Sequence, residues 1–295
     1  MLQRVFEHAF KVLPVDRRYT AERRVRGWFD LQRLKQADFI VASFGKSGRT
    51  WVRGMVSRLY QLEKGLAEGS LLEFSNYHRL DPSVPKILFT HDNYLRDYTR
   101  DGGSKRAYRN ERVVLLVRHP ADVAMSQYFQ WKHRMRPHKV ALNQYPPANG
   151  ALSPFDFMMG TSGLSKVIEF MNEWIRGVDE VRDAMILRYE DMRADTVKEL
   201  GRLARFLGIE AEPEMLEEVV EYASVENMKK REAEAQSDSD RLRAADPDNP
   251  DSFKTRRAKV GGYHDYFDAE QIRQIEQQIA DTLDKRFGYA PSQPD

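Results

Sequence analysis

The sequence predicts an α/β fold: a single large domain with a central parallel sheet flanked by helices. Three observations carry this. Four short apolar runs, at 39–43 (FIVAS), 87–90 (ILFT), 113–117 (VVLLV) and 185–188 (MILR), are each bounded by polar or turn residues and read as buried strands. The gaps between them hold apolar residues at helical spacing, and strands alternating with helices point to βαβ units in a doubly wound sheet. A chain of 295 residues is long enough to bury one large core.

The elements follow in chain order. Residues 1–36 carry nine Lys/Arg against four Asp/Glu and read as a basic helical N-terminal extension. Its simplest role is a solvated helix flanking the core, and peripheral contact with an anionic membrane surface is the alternative. The main domain is expected over 37–290, with a short tail at 291–295. Helices are expected at 50–62, 121–131, 164–181, 196–207, 214–222 and 269–287. Two stretches break the pattern and read as long irregular lid loops. Residues 132–163 are rich in Pro, Asn, Gly and Ser, and 229–252 are charged with few large apolar residues.

Composition excludes several classes. A net charge of +2 has no domain-wide basic excess and gives no reason to expect nucleic acid as a partner. With no cysteine there can be no disulfide, thiol nucleophile, iron–sulfur cluster or thiolate-bound zinc, which fits a reducing compartment. No run of about 18 apolar residues is present, so no membrane span is expected, and the expected location is the cytoplasm.

The chemistry concentrates at strand ends. Phe44-Gly45-Lys46-Ser47-Gly48-Arg49-Thr50-Trp51 follows the first strand and leads into a helix, the arrangement that aims backbone N–H groups at an anion. It is not the ATPase loop G-x-x-x-x-G-K-[ST], because Lys46 precedes the second glycine. Arg118-His119-Pro120-Ala121-Asp122-Val123-Ala124-Met125-Ser126 is again strand end, turn and helix start, with a bidentate cation and a hydroxyl suited to a phosphate. Taken alone, it is better read as an ordinary capped helix with Arg118 paired to Asp122. Four basic residues within Lys254–Lys259, closed by Gly261-Gly262, form a dense late patch that in isolation reads as a solvated charged face and, with the other segments, as an anion-binding one.

Taken together, these segments resemble the sulfotransferases that use 3′-phosphoadenosine 5′-phosphosulfate (PAPS). F-G-K-S-G-R-T-W resembles their phosphosulfate loop Y-P-K-S-G-T-T-W, and R-H-P-A-D-V-A-M-S their 3′-phosphate motif R-N-P-K-D-V-A-V-S. R-R-A-K-V-G-G-Y, ending at Tyr263, is similar to R-K-G-x-x-G-D-W, and Tyr189-Glu190-Asp191-Met192 to their Y-E-D-M. The likeness runs in order from about residue 38 to 287. It implies a P-loop-like cradle of Ser47, Gly48, Arg49 and Thr50 for the 5′-phosphosulfate, with Trp51 against adenine and Tyr189 nearby. Arg118, Ser126, Arg256, Arg257 and Ala258 would meet the 3′-phosphate. The catalytic set would be Lys46 at the bridging oxygen, His91 as general base and Ser126. PAPS would be the co-substrate, with no metal, and the acceptor a small molecule, lipid or glycan; nothing fixes the oligomeric state, since the animal dimer motif K-x-x-x-T-V-x-x-x-E is absent.

The chain departs from the family at three places: Phe89 where a lysine precedes Thr-His, Val225 where many members carry an aromatic, and Ala258 in place of a glycine. Arg49 is a candidate to replace the lost lysine charge, and His119 stands where the family has Asn. Phe155, Phe157, Met158 and Met159 are candidates to line an apolar acceptor pocket, or else pack beneath their loop. Two other classes are an ATP-dependent small-molecule kinase, disfavoured by the misplaced Lys46, and a non-catalytic adenine-nucleotide-binding protein, disfavoured because Lys46 and His91 are both present.

Overall fold

A computed structural model describes residues 14–148, 152–233 and 259–289. The four strands form where the apolar runs predict them: β1 Phe39–Ser43, β2 Ile87–Thr90, β3 Arg112–Val117 and β4 Asp183–Arg188. They make one parallel sheet in the order β2-β1-β3-β4, with Val41 opposite Phe89, Ala42 opposite Leu115 and Leu116 opposite Leu187.

The two-residue period of a strand divides the core between two faces. Ile40, Ala42, Val113, Leu115 and Val117 face helices Pro120–His133, Leu164–Arg176 and Ala269–Thr282. Phe39, Val41, Val114, Leu116 and Leu187 face helices Arg49–Lys64, Thr196–Leu207 and Pro213–Tyr222. Every β1 residue is buried, as a central strand covered on both sides requires. The result is a three-layer α/β/α domain, as the alternation of elements implies.

Four expectations need correction. Residues 132–163 are not one irregular loop: helices Pro137–Leu142 and Pro154–Met159 form within them. Their prolines occupy the first helical turn, where a missing N–H costs nothing, and Ser153 caps the second by accepting from the Asp156 N–H. The long helix over 164–181 instead stops at Gly177, where a Cβ would come within 2.4 Å of the Lys105 side chain, and a short 3₁₀ turn, Val178–Glu180, follows. Likewise the last helix ends at Thr282, before a 3₁₀ turn at Lys285–Phe287. Of the second expected loop, the first residues belong to helix Val225–Ala233, and 234–252 lie outside the described residues.

The N-terminal helix Val15–Leu34 docks closely on helix Asn93–Thr99. A Cβ on Gly27 would lie 2.1 Å from the Tyr94 carbonyl oxygen, Leu34 is buried, and buried Glu22 pairs with Arg26. Residues 1–13 lie outside the described residues. Among the described residues no helix is long and apolar enough to cross a membrane.

Candidate active site

Because the strands are parallel and adjacent, their carboxyl ends line up along one edge. His91 follows β2, the Lys46 loop follows β1, Arg118 follows β3 and Tyr189 follows β4, each strand about 4.8 Å from its neighbour. Strand β2 branches to one side of β1 and β3 to the other, so the cleft opens where such sheets bind ligands. A cavity of about 640 Å³ occupies this edge, a size typical of a small-molecule site.

The loop after β1 is shaped by two residues in the left-handed region, Lys46 (φ 73°) and Gly48 (φ 94°). For lysine that conformation costs roughly 1–2 kcal/mol, a strain typical of functional turns. Glycine is required at 48 twice over, since a Cβ there would also lie 2.7 Å from the Tyr189 ring. No side chain caps the helix that starts at Arg49, which leaves the positive end of its dipole open to an anion. Gly45, Lys46, Gly48, Arg49, Thr50 and Trp51 all line the cavity. Ser47 is buried at 2% exposure and stands outside the cavity wall.

His91 lies between this loop and the rest of the cavity. Its Nδ1 is 2.8 Å from the Ser43 carbonyl oxygen. A carbonyl can only accept, so Nδ1 carries the proton in the neutral ring and Nε2 presents its lone pair. Nε2 contacts the Arg49 guanidinium, which donates to it. Imidazole orientation is thereby fixed from both ends.

The residue after the histidine explains how it is held there. Asp92 is buried and left-handed (φ 57°), and its carboxylate accepts from Lys105 Nζ at 2.8 Å and from the Tyr108 hydroxyl at 2.6 Å. Lys105 is 1% exposed and lies 4.7 Å from the centre of the Trp174 ring. Breaking one partner of a buried ion pair leaves an uncompensated charge, so Lys105→Met is expected to cost about 3–5 kcal/mol of stability. A chemical denaturation curve with an unchanged midpoint would contradict that role.

The β3 and β4 side is built from Arg118. Its guanidinium lies 4.5 Å from the centre of the Tyr189 ring, donates to the Lys46 carbonyl at 3.4 Å and to the Lys259 carbonyl at 3.0 Å, and pairs with Asp122 at 3.4 Å. The Asp122 pair of the capped-helix reading forms, and Arg118 also lines the cavity. Asp122 has a second task. Its two oxygens accept from the N–H groups of Gly261 (2.9 Å) and Tyr263 (3.1 Å), clamping the late glycine pair onto the helix start. Arg256, Arg257 and Ala258 lie outside the described residues; the chain is described again from Lys259, at the Arg118 guanidinium.

Trp51 and Tyr189 form an edge-to-face corner 5.7 Å apart, and the Trp51 indole N–H donates to the Ala223 carbonyl at 2.9 Å. Val225 and Met228 line the cavity beside them, so one wall that carries an aromatic ring in the family motif is aliphatic here. Ser126, on the helix after Arg118, also lines the cavity.

Some expected residues are elsewhere. Phe157 and Met158 are core residues, Phe155 and Met159 pack against that core, and none of the four lines the cavity. Phe157 stacks on Trp131 at 5.1 Å instead. His119 caps the helix at Pro120 and stacks on Tyr263 at 5.2 Å, and burial pushes its imidazole below the usual range. Arg53 was not singled out by its sequence. It sits one turn after Arg49, is 5% exposed, lines the cavity and lies 4.1 Å from the centre of the Phe89 ring. The one available signal was an arginine on the apolar face of an amphipathic helix.

Comparison with known proteins agrees with this geometry. The family model described as "Sulfotransferase domain" matches residues 36–287. Sulfotransferase 2A2 of Rattus norvegicus is 25% identical over 214 residues, 66% of this chain and 68% of that protein. Cytosolic sulfotransferase 17 of Arabidopsis thaliana is 28% identical over 269 residues, 81% of this chain and 72% of that protein. Among solved structures, mouse sulfotransferase SULT7A1 complexed with PAP shares the fold, with TM-score 0.57, 18% identity, and coverage of 86% of this chain and 89% of that one. Retinol dehydratase in complex with androsterone and inactive cofactor PAP gives a TM-score of 0.55 at 19% identity, covering 83% and 80%.

Proposed function

The chain belongs to the sulfotransferase domain family, and from that premise we propose that it moves a sulfuryl group from PAPS to a hydroxyl or amine, releasing 3′-phosphoadenosine 5′-phosphate (PAP). The observation that carries the reading is the alignment of His91, Lys46 and Arg118 at the carboxyl ends of three adjacent strands around one cavity. The donor set fits the nucleotide: a left-handed lysine turn before an uncapped helix for the 5′ group, Arg118 for the 3′-phosphate, and the Trp51–Tyr189 corner for adenine.

In this reaction the acceptor oxygen or nitrogen attacks sulfur, the bond from sulfur to the bridging oxygen breaks, and PAP leaves with the negative charge. The acceptor proton passes to Nε2 of His91, the nitrogen left unprotonated by the Ser43 hydrogen bond, once the acceptor displaces the Arg49 guanidinium that donates to it in this structure. Lys46 meets the growing charge on the bridging oxygen, and a cation fixed before reaction is an efficient stabiliser of such charge. Ser126 and the late basic pair Arg256 and Arg257 would complete the grip on the nucleotide. Phe89 removes a lysine that the family motif carries, and Arg49 with Arg53 supplies positive charge to the same wall. Positioning and charge stabilisation carry most of the work, as in phosphoryl transfer.

The test is a PAPS-dependent screen over phenols, lipids, glycans and natural-product alcohols. Sulfated product with equimolar PAP is the expected outcome. Phosphorylated product from ATP, with none from PAPS, would favour a kinase and overturn the proposal.

A further inference from the structure

The acceptor end of the cavity has a charge that the nucleotide does not account for. Beyond His91, on the β2 side, the wall is made by Arg23 of the N-terminal helix, Tyr94 and Arg96 of the helix after β2, Lys139 and Tyr145 around helix Pro137–Leu142, and Lys166 of helix Leu164–Arg176. Among the described residues that line the cavity, Asp122 is the one carboxylate, and it is committed at the opposite end to Arg118 and the Gly261 loop.

The cations of the acceptor end are held rigidly. Arg23 donates to the carbonyls of Leu142 (2.6 Å) and Asn93 (3.3 Å) and pairs with Asp97. Arg96 pairs with Glu173 at 2.9 Å and Glu169 at 3.3 Å. These three carboxylates stand outside the cavity wall, behind the arginines. Lys166 Nζ donates to the Asn143 carbonyl at 2.8 Å and lies 4.2 Å from the centre of the Tyr145 ring, with Arg23, Arg96 and Glu169 as the charged groups around it. The Asn143 side chain in turn accepts from the Tyr94 hydroxyl (3.1 Å) and Asn93 (3.2 Å), three and two residues after His91 in the chain.

We propose that this end of the cavity selects an acceptor carrying a second, anionic group, a carboxylate or phosphate, which Lys166 binds while the hydroxyl or amine of the same molecule reaches His91. Tyr94 and Tyr145 supply the flanking surface for an aromatic or apolar body between the two polar ends. Burial, and then the nearby Arg23 and Arg96, push the Lys166 ammonium down to about 8 against the opposing pull of Glu169, and the two arginines favour an incoming negative charge. A neutral lipid would leave that field unanswered.

The inference rests on the sulfotransferase reading, and its test keeps the two apart. PAP binding by calorimetry is measured first, on wild type and on Lys166→Met. Then KM is compared across phenolic, benzylic and aliphatic alcohols, each bearing a carboxylate, a phosphate monoester or the matched methyl ester. Since a hydrogen bond to a charged group is a strong one, wild type is expected to show KM lower by about 10-fold or more for an oxyanion arm than for its ester. The carboxylate and phosphate arms identify which oxyanion it is. Lys166→Met should lose most of that discrimination while binding PAP normally, and Lys166→Arg should restore it. Equal KM for acid and ester, a preference for the ester, or discrimination that survives in Lys166→Met would each overturn the inference while leaving the transfer reaction intact. Failure of wild type to bind PAP would remove the sulfotransferase reading itself, and this inference with it.

Discussion

Replacing His91 by alanine is expected to lower turnover by about 100- to 10,000-fold while leaving PAP affinity near that of wild type. The ring is held by Ser43 through Nδ1 and meets Arg49 through Nε2, so in the proposed reaction Arg49 yields that nitrogen to the acceptor, and loss of the ring should affect turnover rather than nucleotide binding. Initial rates under saturating PAPS, with calorimetry on the same preparation, separate the two effects. A variant that turns over at the wild-type rate would take the base role away from His91. Glutamine at this position would be informative too, because it keeps a hydrogen-bonding group near Arg49 yet cannot take up the proton.

Replacing Lys46 by alanine should lower transfer by about 100- to 1,000-fold, the usual cost of removing one preorganised group aimed at developing charge. Alanine relieves none of the left-handed strain at this position, so the loop still pays it and the rate reports chiefly on the missing ammonium. Methionine is the better control for bulk, since it keeps most of the stem. Product formation at wild-type speed in both variants would show that the loop assignment is wrong.

The strands were readable because each is a short apolar run between polar bounds, and the parallel order followed from the helices between them. The Lys46 loop and Arg118 were readable because strand ends in such a sheet converge, so adjacency in space follows from position in the chain. What stayed hidden depends on partners far away in sequence. Nothing near Lys105 says that it will be buried against Asp92 and Trp174, and nothing near Asp122 says that it will hold Gly261 and Tyr263. Arg53 is equally silent until Phe89 lies beneath its guanidinium. The prolines of 132–163 misled in the other direction, since the same residue that breaks a helix interior also begins one. Phe157 and Met158 carry no mark that separates a core contact from a pocket wall, and the structure puts them in the core.

The acceptor end was the least legible part. Arg23, Arg96, Lys139 and Lys166 come from four separate segments that only the tertiary fold brings to one cavity, Arg23 through the docking of its helix against Tyr94. Residues 1–36, read from sequence as a basic extension, thus contribute Arg23 directly to the wall beside His91.

The central claim is that the cradle at the strand ends is built for an adenine nucleotide carrying a 3′-phosphate. Titration calorimetry of the purified protein with PAP and with ADP, at one fixed ionic strength, tests it without any knowledge of the acceptor. With Arg118 in its proposed role, a charge-assisted grip on the 3′-phosphate, PAP is expected to bind at least about 10-fold more tightly than ADP, with most of that margin lost in Arg118→Met. ADP binding as tightly as PAP would contradict the account.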